Sequence, residues 1–364
     1  MQQTIFINKH KAANAKLVEF CGYEMPINYG SQIHEHEMVR TDAGMFDVSH
    51  MVITDVSGSD SRSYLRYLIS NDVAKLEKIG IGKALYSAML NHNAGIIDDL
   101  IVYLMPFGYR IVSNAGTRDK VTKWLHEVAQ NYNVQLSQRN DLSILAVQGP
   151  NAIASFSHIV PEISEQLLNL KPFTAIEHQD VFYARTGYTG EDGLEVIIPN
   201  NKAELFWDNL LKAGVKPCGL GSRDTLRLEA GMNLYGHEMD DSINPTQCNM
   251  EWVVDLKDET RDFIGKAKYL EFLKNKSQKL VGLVMQGRGV LRGEQKIYQN
   301  DKYVGVVTSG TFSPSLKQSI AMARVDSNVS GNLTVEIRGS FEKVLLVSIP
   351  FVRFNKKVYQ IIGD

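Results

Sequence analysis

LTVEIR, residues 333–338, alternates at every step: Leu333, Val335 and Ile337 fall on one side, and Thr334, Glu336 and Arg338 on the other. A period of two marks a strand with one face in a core and one in water. Four neighbours share its character: KLVGLVM (279–285), YVGVVTSG (303–310), QSIAMARV (318–325) and EKVLLVSI (342–349), with turn residues between them. After about residue 275 nothing has the spacing of a strong helix. The spacing predicts an all-β C-terminal domain over 276–364, sandwich or barrel-like. The polar run LKNKSQK (273–279) is its boundary.

Upstream the pattern changes. Val121, Trp124, Leu125 and Val128 have helical spacing, with Thr117 as candidate N-cap. Leu205, Phe206, Leu210 and Leu211 form a second stripe, closed by Gly214 and Pro217, and Tyr64, Leu65, Leu68 and Ile69 a third. Strands and helices mix here without regular βαβ alternation, so the fold class is α+β and not a doubly wound parallel sheet. The 364 residues correspond to two or three domains at roughly 100–200 residues each.

The bulk chemistry excludes several functions. With 39 Lys and Arg against 41 Asp and Glu, the net charge of −2 gives no electrostatic case for nucleic acid or an anionic membrane as partner. No run approaches the ~18 apolar residues of a membrane span. The N-terminus MQQTIFINKHKAANAK has no apolar core of signal-peptide length. The three cysteines Cys21, Cys218 and Cys248 form no C-x-x-C pair, so neither a disulfide framework nor a structural zinc site is expected. These features fit a cytoplasmic chain without metal.

AGIIDDLIVYLM (94–105) sets two carboxylates, Asp98 and Asp99, in an apolar strand. Consecutive strand residues point to opposite faces, so one acid must share a face with apolar neighbours. Glu195, in LEVII, is a similar carboxylate at the start of an apolar strand. GYTGEDG (187–193) and CGLGSRD (218–224) complete neither phosphate-binding glycine pattern and read as tight turns needing positive φ. In HEHEM (34–38), His34 and His36 would point about 200° apart on a helix and cannot share a metal, so a solvated helix face is expected. His50, in SHM (49–51), reads as a hydrogen-bonded, semi-buried histidine. In GLGSRDTLRLEAGMNLYGHEMD (219–240), Ser222 could cap a helix and Asp224 favour its dipole. Arg223 and Arg227 there fit ion pairing along one helix and an arginine aimed at a carboxylate equally well. No hydrolase or zinc-enzyme motif is present. Two carboxylates in apolar strands, an arginine segment and Tyr86, Tyr103 and Tyr188 are the inventory for a flat polar heterocycle held by stacking and an acid.

Taken together, EMPINYGSQIHEHEMVRTDAGMFDVSHM (24–51), GIIDDLIVY (95–103), LAVQGP (145–150), RTGYTGEDGLEV (185–196), KPCGLGSRDTLRLEAGMNLYGHEMD (216–240), DFIGK (262–266), GVVTSGTFSPSLKQSIAMARV (305–325) and PFVR (350–353) resemble the aminomethyltransferase, or T-protein, family of the glycine cleavage system, almost end to end. The resemblance implies three domains in a cloverleaf around a central channel. These are a discontinuous folate-binding domain over 1–52 and 139–255, an inserted ferredoxin-like domain over 53–138, and a C-terminal barrel or jelly-roll-like domain over 276–364. It implies transfer of the one-carbon unit from the aminomethyl-lipoyl arm of the H-protein to tetrahydrofolate, giving methylene-tetrahydrofolate, ammonia and dihydrolipoyl H-protein. The second aspartate of the family's pair is the catalytic one, here Asp99, sharing its face with Ile97, Ile101 and Tyr103, while Asp98 turns to the surface or to a hydrogen bond. Glu195 corresponds to the acid on the pterin's aminopyrimidine edge, Tyr86 and Tyr188 to channel aromatics, Met51 and Asn114 to further lining positions, and Arg223 to an arginine on the folate. RFNKKVYQIIGD (353–364) diverges from the family and receives no assignment. A folate-binding relative that assists iron–sulfur enzymes would carry K-G-C-Y-x-G-Q-E, which is absent here. The flavin oxidases that contain such a module would need an N-terminal G-x-G-x-x-G.

Overall fold

The computed structural model describes residues 1–362. Two sheets and a barrel carry the architecture. The first sheet has six strands in the order Ala175–His178, Val181–Ala184, Gly193–Pro199, Leu142–Gln148, Gly44–Asp47, Lys216–Pro217. The last pairing is parallel and the other four are antiparallel. Gly44–Asp47 and Leu142–Gln148 lie side by side although nearly 100 residues separate them, with Leu145 opposite Asp47.

The intervening chain forms a second sheet, in the order Ala84–Leu90, Ile96–Met105, Gly108–Ser113, Val52–Ser57, Gln135–Gln138. Helices Ser61–Leu68 and Arg118–Ala129 cross over one face. The last four strands have the ferredoxin-like order, and Ala84–Leu90 is an added edge strand. Tyr64, Leu65, Leu68, Val121 and Leu125 pack under the helices with Leu85, Leu100 and Val102. The opposite face lies on the first sheet: Ile53, Tyr103, Met105 and Val112 share a core with Phe46, Ile144, Ala146, Phe182 and Ile197. The inserted sheet is therefore apolar on both faces, which makes a charge on either face conspicuous.

The C-terminal strands close into a six-stranded barrel, Gln278–Met285, Gln318–Asp326, Lys302–Ser313, Lys296–Gln299, Leu333–Ile337, Ser340–Val347. Leu333 and Val335 are buried within it and Ile337 packs at its rim, as the alternation of LTVEIR requires. Helix Leu220–Glu229 joins the barrel to the rest. Leu228 packs with Leu280, Ile320 and Val347, and Arg227 donates to Ser309 Oγ at 3.0 Å.

Several local expectations are corrected. Helix Asn200–Lys212 buries Ala203, Phe206, Trp207 and Leu210, while Leu205 and Leu211 face solvent, because the stripe follows the side that meets the first sheet. Thr117 sits at the N-cap, but its hydroxyl turns back to Asn114 O at 3.1 Å and caps nothing. Ser222 is inside its helix, whose N-cap is Gly219. Glu35 supplies the cap from another helix, accepting from Gly219 N at 2.8 Å. Gly219 and Gly221 have no positive φ. They are needed for close approach, since a Cβ on Gly219 would lie 2.4 Å from Ile27 O. His34 is exposed, but His36 is fully buried, its Nε2 3.2 Å from Glu229. The helix it lies on is covered by the barrel side of the molecule. His50 is buried too, and its Nδ1 meets no protein partner.

Candidate active site

The Asp98–Asp99 pair acquires its geometry from a β-bulge. Opposite Ala84–Leu90 the register slips between Met89 and Leu90: Met89 faces Asp98 and Leu90 faces Ile96, which leaves Ile97 as the extra residue. A bulge inverts side-chain parity along the strand. Asp99, Ile101 and Tyr103 therefore share the face toward the first sheet, while Ile97 joins Leu100 and Val102 under the helices. The expected grouping of Ile97 with Asp99 is corrected by that one inserted residue. Asp98 is also not at the surface: it is fully buried and hydrogen-bonded.

Both carboxylates meet at Asn114. Its Nδ2 donates to Asp98 Oδ1 at 2.8 Å and to Asp99 Oδ1 at 2.7 Å, and its backbone N–H donates to Asp98 Oδ2 at 3.1 Å. Tyr86 completes the set by donating to Asp99 Oδ2 at 2.7 Å. Burial pushes the Asp99 carboxyl upward, against the hydrogen bonds from Tyr86 and Asn114. Burial and then the charge of Asp99 push Asp98 upward as well. The Tyr86 phenol is raised by burial and by Asp99, so it remains a proton donor to that carboxylate. Tyr86 also stacks on Trp252, 5.7 Å between centroids at 27°. Trp252 is 67% exposed, so this pair forms a rim where an apolar ring system meets solvent.

The second group faces it from the first sheet. Glu195 accepts from Thr186 Oγ1 at 2.6 Å, and Tyr103 lies 3.3 Å from the same hydroxyl. Among the described residues no protein donor reaches the other Glu195 oxygen. The turn after Arg185, with Gly190 at φ +80°, carries Tyr188, whose hydroxyl donates to Asn233 O. Arg223 lies over the Tyr188 ring, 4.8 Å from its centroid. Its Nη1 is buried and unpartnered, and burial lowers its pKa against the pull of Glu195. The Tyr188 phenol is raised chiefly by burial, and the charge of Asp99 adds to the rise.

Asp99, Tyr86, Asn114, Tyr188, Glu195, Arg223 and Met51 are all partly buried, as walls of a cleft are and core residues are not. Asp99, Tyr86 and Asn114 form one hydrogen-bonded group, and Arg223 lies on Tyr188. Met51 stands apart: it packs against the core between the two sheets and lines a polar cavity of about 400 Å³ with Tyr23 and Arg118. Sequence reasoning missed Asp98 as a member of the cluster, Thr186 as the donor to Glu195, and Trp252, whose place in the polar stretch NMEW was a usable signal. Arg227 fulfils the ion-pairing alternative, bonded to Asp224 at 2.8 Å and to Glu238 at 3.0 Å, whereas Arg223 lies over Tyr188 with an Nη1 that no group among the described residues reaches. Among the described residues no cluster of His, Cys, Asp or Glu is placed to hold a metal ion.

The arrangement can hold a flat heterocycle between aromatic rings, offer a carboxylate to paired N–H groups at one end, and set a second carboxylate at the other. Comparisons with known proteins point the same way. Residues 6–258 match the family described as GCVT N-terminal domain, and residues 278–353 match the glycine cleavage T-protein C-terminal barrel domain. The chain is 54% identical to an aminomethyltransferase of Neisseria meningitidis and 50% identical to one of Chromobacterium violaceum, each over 99% of both chains. The crystal structure of glycine cleavage system aminomethyltransferase T from Bartonella henselae superposes with a TM-score of 0.91 at 34% identity, covering 98% of this chain and 99% of that one.

Proposed function

This chain belongs to the glycine cleavage T-protein family, and from that premise we propose that it acts as an aminomethyltransferase: it takes the aminomethyl-lipoyl arm of an H-protein, releases ammonia and passes the one-carbon unit to tetrahydrofolate. The observation that carries this reading is a pair of partly buried carboxylates on two sheets that pack together, Asp99 held by Tyr86 and Asn114, and Glu195 with one oxygen that no donor among the described residues reaches. The alternative of a non-catalytic folate-binding protein is disfavoured, because its cysteine motif is absent and the relatives that match over full length are aminomethyltransferases.

The residues present fit a reduced pterin. Glu195 would take the paired N–H groups of the aminopyrimidine edge, Tyr86 and Tyr188 the ring faces, and Arg223, with its unpartnered Nη1, a polar atom or carboxylate of the folate. When bound, tetrahydrofolate supplies a nucleophilic ring amine. The chain's own work is electrostatic. Scission of the carbon–sulfur bond develops positive charge on the transferred carbon, and a fixed carboxylate in a partly buried site stabilises it without reorganisation. Asp99 would also accept the proton released as a new C–N bond forms. Tyr86 and Asn114 hold both its oxygens, so its direction is set before substrate arrives. The three cysteines are free, as a reducing compartment such as the cytoplasm would keep them; among the described residues no helix is long and apolar enough to cross a membrane.

The test is ammonia release from aminomethyl-loaded H-protein with and without tetrahydrofolate. Release that depends on folate is expected. Folate binding with no release would favour the non-catalytic reading.

A further inference from the structure

Asp98 has no part in the mechanism above, yet it is a fully buried carboxylate beside the reacting one. A buried charge is costly unless it is paired or hydrogen-bonded. The groups that hold it are the backbone N–H and side-chain amide of Asn114, not a cation, so it does not serve to neutralise a buried base. Its bonding is directional. Asn114 presents its backbone N–H to one oxygen of Asp98 and its Nδ2 to the other, at 3.1 and 2.8 Å, which closes a ring and fixes the plane of the amide. The same Nδ2 then reaches Asp99 Oδ1 at 2.7 Å and Asp99 O at 3.2 Å. Asn114 comes directly after the strand Gly108–Ser113, at a chain exit where nothing else in the ladder would orient it.

We propose that Asp98 is a positioning residue for the transfer: from the far face of the strand it locks the Asn114 amide, which in turn aims the Asp99 carboxylate into the cleft. The adjacent acids thus divide one task, with Asp99 meeting the substrate and Asp98 acting through Asn114. A neutral amide at position 98 would keep the shape but turn an N–H toward one of the two Asn114 donors, breaking the ring and freeing the amide to rotate. The proposal rests on the reading of Asp99 as the catalytic acid. That reading stands or falls separately, on Asp99→Asn alone.

The experiment measures folate-dependent ammonia release for Asp98→Asn, Asn114→Ala, the double variant, and Asp98→Asn in an Asp99→Asn background, each checked for thermal stability. A misaimed group can cost up to about 100-fold in rate. The expected result is a fall in kcat of about 10- to 100-fold in either single variant, with folate KM little changed. The double variant should be no slower than the worse single one, because both act through one bridge. In the Asp99→Asn background, Asp98→Asn should have no further effect. Asn114→Ala keeps the test open if Asp98→Asn does not fold. Wild-type kcat in a folded single variant would overturn the proposal, as would losses that multiply in the double variant or a further loss without Asp99.

Discussion

Among the described residues no donor reaches one oxygen of Glu195, whose other oxygen accepts from Thr186, and folate recognition is expected to depend on it. Glu195→Gln preserves shape but puts an N–H where an acceptor is needed. A hydrogen bond to a charged group is worth about 1.5–3 kcal/mol, so calorimetric titration with tetrahydrofolate should show affinity about 10- to 100-fold weaker, with kcat at saturation less affected. Unchanged affinity would remove Glu195 from the pterin edge. At this scale the sequence was partly legible. A carboxylate in an apolar strand is visible from its neighbours, which singled out Asp99 and Glu195. Which face Ile97 shares was not, because a bulge is a property of pairing with Ala84–Leu90 and leaves no mark in the local period. Asp98 and His36 misled for a related reason: both are polar residues satisfied by distant partners, Asn114 and Glu229, which no local window contains.

The turn before the aspartate strand illustrates what an element requires. Gly95 has ordinary φ, but a Cβ there would lie 1.7 Å from Asp241 O and 2.5 Å from Asp241 C. Next to it Ile96 N donates to Asp240 O and Ile243 O, both at 3.0 Å. Gly95→Ala must therefore push the 240s loop off the inserted sheet, with a cost of about 1–3 kcal/mol. Denaturant unfolding should show that loss of stability together with reduced activity, since the strand that loses this support carries Asp99. Wild-type stability would mean the loop yields freely. Elements themselves were the most legible level. The stripe of Arg118–Ala129 and the alternation of the barrel strands follow from burial on one side only. Asn200–Lys212 misled because its exposed side also carries leucines, and hydrophobic residues are not confined to interiors.

Across the whole molecule, Glu229 ties the pieces together. It receives Arg40 at 2.8 Å, Ser315 Oγ at 2.8 Å and Ser313 from the barrel, with His36 3.2 Å away. Burial alone would raise its carboxyl, but the His36 hydrogen bond, the charges of His36 and Arg40 and the Ser313 bond outweigh it and hold the group at about 2. A folded-state pKa below the unfolded one gives stability that is complete above roughly pH 4.5 and lost as pH falls toward about 2. The contribution is about 3 kcal/mol at 1.36 kcal/mol per unit. The stability gap between wild type and Glu229→Gln should narrow by about that much over the same window in denaturant titrations, and a constant gap would contradict it. The discontinuity behind this architecture, Gly44–Asp47 beside Leu142–Gln148, is a nonlocal pairing. Periodicity cannot encode it, and only resemblance suggested it.

The measurement that bears most directly on the central claim is folate-dependent ammonia release by Asp99→Asn beside wild type, with tetrahydrofolate binding measured in parallel. The substitution keeps size, removes the charge and puts an N–H where Tyr86 or Asn114 now donates to an oxygen. A fall of at least about 100-fold in release with folate still bound is the expected result. A variant as active as wild type would contradict the account and leave Asp99 a structural acid.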